Sequence, residues 1–283
     1  RQGVEADHQR RGRTRVLIPR DYITEWREEA PWIEDAQVEQ DLVISKALVN
    51  IFSHDVLKDA LAFRGGTALY KLFLKPPARY SEDIDLVQIN AEPAGDVMTA
   101  LRDVLTPWLD DRPRYKQSEG RVTFKFRFRS EDNPPLPLTL KVEINTREHF
   151  AVHGLKNVPF KVQSRWFEGE CAIPSYGLNE LLGTKLRALY QRRKGRDLFD
   201  LAVALDHEDS DPQQIIETFA AYMEDGGHHV TKTQFEENLA AKLENRLFTA
   251  DIGPLLRDGF DWNLVAMADK VTDELIARLP EQD

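Results

Sequence analysis

The sequence predicts an α/β fold in which the sheet-forming part comes first and a helical part follows. Three observations carry this. Val122–Arg129 and Leu138–Ile144 alternate strictly between apolar and polar residues, the mark of strands with one buried face. Gly65-Gly66 joins a short apolar run, Leu61–Arg64, to an amphipathic segment over 67–74. From about residue 174 onward the apolar residues recur at helical spacing.

Taken in order, residues 1–20 contain Arg1, Arg10, Arg11, Arg13 and Arg15 and little apolar material, so a basic, flexible arm is expected there. Val38, Leu42, Ile44, Leu48 and Ile51 predict a helix over about 36–52. The helix after the glycine pair should stop before Pro76-Pro77. The next strand is expected over 84–89, and the proline-rich 130–137 segment reads as a hairpin connection. The core domain is therefore placed at 21–172 and the C-terminal helical domain at 173–283.

Composition is that of an ordinary globular protein, 283 residues long with 41% hydrophobic and 30% charged residues. No apolar run approaches the length of a membrane span. The basic N-terminus lacks the apolar stretch of a signal peptide, and the single cysteine, Cys171, excludes an internal disulfide framework. A cytoplasmic protein, monomeric and without membrane attachment, is expected. A formal net charge of −10 argues against a general nucleic-acid binder, although local basic stripes remain available to such a partner.

The chemistry concentrates in residues 63–86. A glycine pair between strand and helix lets the backbone approach a ligand, and the helix N-terminus offers unpaired N–H groups to phosphate; the bland alternative is a tight turn. The spacing is not that of a Walker A loop. Asp83 and Asp85 share one face of a strand while Ile84 enters the core, and two carboxylates roughly 7 Å apart can converge on a pair of magnesium ions. The alternative is a strand end with two solvated aspartates. Glu143, on the polar face of its strand beside Lys141, supplies a third carboxylate if that strand lies next to the first. Ser81 shares the parity of Asp83, and Arg79 also flanks the pair. The pattern reads as a site for a nucleoside triphosphate and its divalent cations.

Gly65-Gly66, Asp83-x-Asp85 and a later apolar–Glu–apolar strand resemble the polymerase-β-type nucleotidyltransferase superfamily. More narrowly, GGTALYK, RYSEDIDL, GTKLRALYQRR and RDLFDL resemble, in order, the AbiEii-type toxins of type IV toxin–antitoxin systems. The motifs span about 63–201. The resemblance implies a mixed-sheet nucleotidyltransferase core with flanking helices and a C-terminal helical domain. It implies a magnesium-dependent enzyme with two metals on Asp83, Asp85 and Glu143, and a nucleoside triphosphate donor held by Gly65, Gly66, Thr67, Ser81 and Lys185. It also implies a growth-inhibiting toxin with a cognate antitoxin, whose acceptor is expected to be the 3′ end of transfer RNA.

Lys185 has independent support. On a helix over 178–189 it falls inside the stripe of Leu178, Leu181, Leu182, Leu186 and Leu189, with Arg187 on the opposite face. A lysine there is either snorkelling or salt-bridged, or it grips a ligand's phosphates. Asp197 lies near the start of the next helix, where a carboxylate is favoured anyway; the resemblance implies that it works with Lys185. Asp200 is expected to be solvated. Two basic stripes are candidate acceptor-RNA contacts: Lys125, Arg127 and Arg129, and Arg192 and Arg193 within a run that also holds Arg187, Lys194 and Arg196. Such runs are often simply solvated. His228-His229 reads as a loop. Two alternatives stay open: the same chemistry on a small molecule or a protein, or a non-catalytic partner-binding module of this fold.

Overall fold

The computed structural model of the chain describes residues 18–109 and 112–281. Helices α1 (Arg20–Trp26), α2 (Asp35–Phe52) and α3 (Asp55–Ala60) lead into strand β1 (Leu61–Arg64). The short helix α4 (Gly65–Ala68) follows at once and widens into a π-helical turn over Leu69–Phe73. Then come β2 (Asp83–Gln88), α5 (Gly95–Leu109), β3 (Arg114–Ser118), β4 (Arg121–Arg129), β5 (Pro137–Asn145), β6 (Leu155–Gln163) and β7 (Glu168–Tyr176). The rest is helical: α6 (Leu178–Gln191), α7 (Gly195–Ala204), α8 (Pro212–Asp225), α9 (Lys232–Leu243), α10 (Arg246–Thr249) and α11 (Leu264–Glu274).

The strands form one mixed sheet in the order β3-β4-β5-β2-β1-β7-β6. β2 runs antiparallel to β1 and parallel to β5. This central position, between β1 and β5, brings β2 beside both the glycine turn at the end of β1 and the third carboxylate on β5. Helix α2 packs against β5, β6 and β7 and is buried nearly all round, which suits a helix apolar on most of its surface. The expected α2, β1, β2, β4, β5 and 130–137 hairpin connection all appear, within a residue or so at the ends. The helix expected over 67–74 begins two residues earlier and ends in the π turn.

Three strands left no signal in the sequence. β3 is an edge strand exposed along its whole length, so it has no buried face to pattern. β6 and β7 form the hairpin at the other edge, where Pro159, Gly169 and Pro174 interrupt the alternation. β7 carries the sheet to Tyr176, and helix begins directly after Gly177. Of the basic arm, residues 1–17 lie outside the described residues. Ile18 is fully buried and Arg20 opens α1, paired with Asp35. Among the described residues no helix is long and apolar enough to cross a membrane.

One buried carboxyl on α2 gives the fold a pH dependence. Glu39 is 1% exposed; Oε2 accepts a hydrogen bond from the Glu131 amide at 2.8 Å, whereas Oε1 has no partner. Burial pushes its pKa up to about 7, with Asp132 and Glu131 adding to the effect against that one hydrogen bond. A raised folded pKa costs stability as pH climbs from the unfolded value through 7, because the unfolded chain ionises first. Glu39→Gln is expected to stabilise the protein by about 2 kcal/mol at pH 8 and by far less at pH 5. Urea unfolding at the two pH values measures this, and a pH-independent difference would count against it.

Candidate active site

The glycine pair is required sterically, before any ligand is considered. Gly65 has φ +82°, and a Cβ there would lie 2.4 Å from Asp85 Oδ2. A Cβ on Gly66 would lie 2.7 Å from Arg79 Nη2. The bare turn thus lets the β1 end close on both the carboxylate strand and a buried arginine. Thr67 is buried, and its hydroxyl is turned inward: it donates to the Asp83 carbonyl oxygen at 2.5 Å and pairs with Ser81 Oγ at 2.8 Å. The Thr67 hydroxyl therefore pins the turn to β2. Ser81 remains partly exposed beside it.

Parallel pairing of β2 with β5 sets Asp83 opposite Lys141 and Asp85 opposite Glu143, with Ile84 and Val142 beneath them in the core. Strand alternation and register therefore put Asp83, Asp85 and Glu143 on one sheet face. Burial, then the charges of Asp83 and Glu143, push the Asp85 carboxyl above its ordinary range, against Arg64 and Lys141. Among the described residues Asp85 makes no direct ion pair. Lys141 Nζ pairs with Asp83 Oδ2 at 2.9 Å and with Glu143, and Arg121 Nη1 lies 3.4 Å from Glu143 Oε1. A cation is thus already held by two of the three carboxylates. These hard oxygen donors fit a divalent ion in kind. They do not form a ready-made cage, however: among the described residues no three such side chains converge as an ion site.

Across the cleft stands a buried charge network that the sequence showed only in part. Lys185, 7% exposed, contacts Asp197 Oδ1 at 3.2 Å and Asp200 Oδ2 at 2.9 Å. Asp200 is not solvated as expected but fully buried. It accepts two hydrogen bonds of 2.6 Å from Arg79 Nε and Nη2, and one of 2.8 Å from the Tyr70 hydroxyl. Against the effect of burial, Arg79 and Lys185 hold its carboxyl down at about 2. Arg192 forks onto Asp197 at 2.7 and 2.8 Å, and Lys185 and Arg192 keep that carboxyl low as well. The missed signal was positional: Asp200 lies three residues after Asp197, on the same side of α7.

A second unpredicted cluster shapes the wall. Glu148 receives Arg64 Nη1 at 2.6 Å and Arg187 Nη1 at 2.7 Å, which, against burial, hold its carboxyl at about 2. Arg187 is thus not on a solvated far face of α6; it lines the cleft and lies over the Tyr222 ring. That cleft, about 390 Å³, is bounded by Gly65, Gly66, Asp85, Glu143, Arg64, Arg121, Lys185, Arg187 and Arg192 among others. Lys125, Arg127 and Arg129 are exposed on the carboxylate face of the sheet, where Lys125 pairs in register with Lys141. In the second stripe Arg192 is tied to Asp197, and Lys194 and Arg196 face Asp251, whereas Arg193 makes no ion pair among the described residues. His228 and His229 are exposed in the loop between α8 and α9.

A mixed sheet carrying Asp83-x-Asp85 after a Gly-Gly turn, with a third carboxylate on the adjacent parallel strand, defines a nucleotidyltransferase-type fold. Residues 46–270 match the family model described as nucleotidyl transferase AbiEii toxin, type IV toxin–antitoxin system. The chain belongs to this AbiEii nucleotidyltransferase toxin family. Among solved structures it is similar to MenT4, a nucleotidyltransferase toxin from Mycobacterium tuberculosis H37Rv. The identity is 20%, the TM-score 0.64, and 93% of this chain and 90% of that chain are covered. It is also similar to JHP933 from Helicobacter pylori, at 14% identity and TM-score 0.52, covering 85% of this chain and 90% of that one. At these identities the likeness shows the fold alone. No curated protein matches the sequence.

Proposed function

We propose that the chain transfers a nucleoside monophosphate from a nucleoside triphosphate to an acceptor hydroxyl. The observation that carries this is the facing of two unlike walls across one cleft. Asp85 and Glu143, with Arg64 paired to Asp85 from β1, line the cleft from the sheet beside the glycine turn, and Lys185, Arg187 and Arg192 line it from α6 and its C-terminal end. Around the cleft the cations outnumber the carboxylates that answer them, because Lys185, Arg79 and Arg192 share two aspartates while Arg64 and Arg187 share Glu148. Such a surplus suits a triphosphate.

The Gly65-Gly66 turn opens α4 at the cleft, where its backbone N–H groups would meet the phosphates, with Ser81 beside them. Asp83, Asp85 and Glu143 would hold two magnesium ions. When bound, these supply activation of the acceptor hydroxyl and neutralisation of the leaving pyrophosphate. Lys185, fixed by Asp197 and Asp200, stabilises charge building on the triphosphate as the bond between the α-phosphorus and the bridging oxygen breaks. The acceptor oxygen forms the new bond to that phosphorus, its proton is lost, and pyrophosphate departs.

Family membership supports a toxin checked by a cognate antitoxin. The acceptor we favour is RNA, specifically the 3′ end of transfer RNA, because Lys125, Arg127 and Arg129 extend the carboxylate face with basic charge. The net charge of −10 favours the competing reading, a small-molecule or protein acceptor. Incubation with total transfer RNA, magnesium and each labelled triphosphate, beside Asp83→Ala, separates them. Label entering RNA only with Asp83 intact is the expected result. Label entering protein, or no macromolecule, would overturn the RNA acceptor.

A further inference from the structure

We infer that Lys141 is a built-in counter-cation that competes with the divalent ion for the carboxylates and thereby sets the metal affinity of the site. The inference rests on the proposed reading of Asp83, Asp85 and Glu143 as metal ligands and adds a residue to it. Lys141 lies on β5 two residues before Glu143, so both side chains leave the same sheet face. Register places it directly opposite Asp83. From there its ammonium reaches Asp83 at 2.9 Å and also contacts Glu143, spanning the two carboxylates on either side of Asp85.

The ammonium sits on Asp83 Oδ2 and Glu143 Oε2, and a divalent ion brought to those same two oxygens meets its repulsion. A divalent ion binding Asp83 and Glu143 must displace the ammonium, and both of its ion pairs are lost when it leaves. The pairs are only partly buried: the side chains of Lys141, Asp83 and Glu143 are 29%, 34% and 19% exposed. Such pairs are modest in strength. The ammonium is therefore a displaceable occupant rather than a permanent block. Its stem is flexible and its charge readily hydrated, so it can swing toward solvent without disturbing the strand. The consequence is a site whose negative charge is partly offset in the free protein and which takes a metal ion weakly. A nucleotide arriving with its own bound cation supplies the extra ligands that tip the exchange.

Binding of Mn2+ to the purified protein, followed by the loss of free-ion paramagnetic signal, tests this without any turnover. Lys141→Met keeps the stem and removes the charge. It is expected to bind Mn2+ about tenfold more tightly than the unaltered protein. Lys125→Met, which removes the neighbouring charge on the same sheet face, should leave the affinity close to its original value. In the absence of metal, Lys141→Met should also melt at a lower temperature, and Mn2+ should raise that temperature by more than it does in the unaltered protein. Equal or weaker Mn2+ binding by Lys141→Met, with the unaltered protein binding normally, would overturn the role of Lys141 alone. Equal tightening by Lys125→Met would reduce the effect to general field and overturn it too. Absence of Mn2+ binding by every form would overturn the metal-site reading together with the inference.

Discussion

Asp85→Asn is expected to lower nucleotide transfer by about 10³-fold or more while making the protein more resistant to heat. The two effects share a cause. Among the described residues Asp85 is the carboxylate of the three without a direct ion pair, and burial and its two like-charged neighbours raise its pKa. A folded pKa above the unfolded value means that the ionised carboxylate costs stability at neutral pH. Asparagine removes that cost and keeps the shape. It also removes the charge on which cation binding and transition-state stabilisation would depend, a loss worth several kcal/mol of barrier. Transfer assays and thermal melts on the same preparation check both halves. Unchanged activity would remove Asp85 from the reaction, and a large drop in melting temperature would show that its charge is satisfied in the fold.

Asp200→Ala is expected to destabilise the chain by about 3–5 kcal/mol, a large part of the stability of an ordinary domain. The aspartate is fully buried and answers the Arg79 guanidinium with two hydrogen bonds while also meeting Lys185 and Tyr70. Its removal leaves Arg79, itself 2% exposed, as a buried charge without its carboxylate. The depressed carboxyl, about 2, means that this stabilisation is complete above the ordinary carboxylate range and is lost as pH falls through 2. The double variant Arg79→Leu/Asp200→Ala should recover part of the loss, since the stranded charge goes with its partner. A single-variant cost below about 1 kcal/mol, measured by urea unfolding, would refute the network's structural role.

The contrast between these residues explains what the sequence made legible. Asp83, Asp85 and Glu143 are readable because strand parity is rigid: alternate residues must share a face, so one apolar neighbour on each side is enough to orient a carboxylate. Lys185 is readable because an apolar stripe surrounds it. Asp200 is not, because α7 is buried on several sides and its polar residues carry no periodic signal of solvent. Its partner Arg79 lies 121 residues away in the chain, and nothing local announces that contact. Arg64 and Glu148 were missed for the same reason, being joined across 84 residues. The edge strands β3 and β6 escaped because edges bury too little to pattern. Lys141 was visible beside Glu143, but only register with β2 shows that it also reaches Asp83.

In the proposed reaction this cleft moves a nucleotidyl group rather than a terminal phosphate. Parallel reactions with a triphosphate labelled at the α-phosphate and at the γ-phosphate, each with magnesium and total transfer RNA, decide it directly. Label in the acceptor from the α position only, with pyrophosphate released and both signals absent in Asp85→Asn, is the expected result. Label transferred from the γ position would contradict it and make the chain a phosphotransferase.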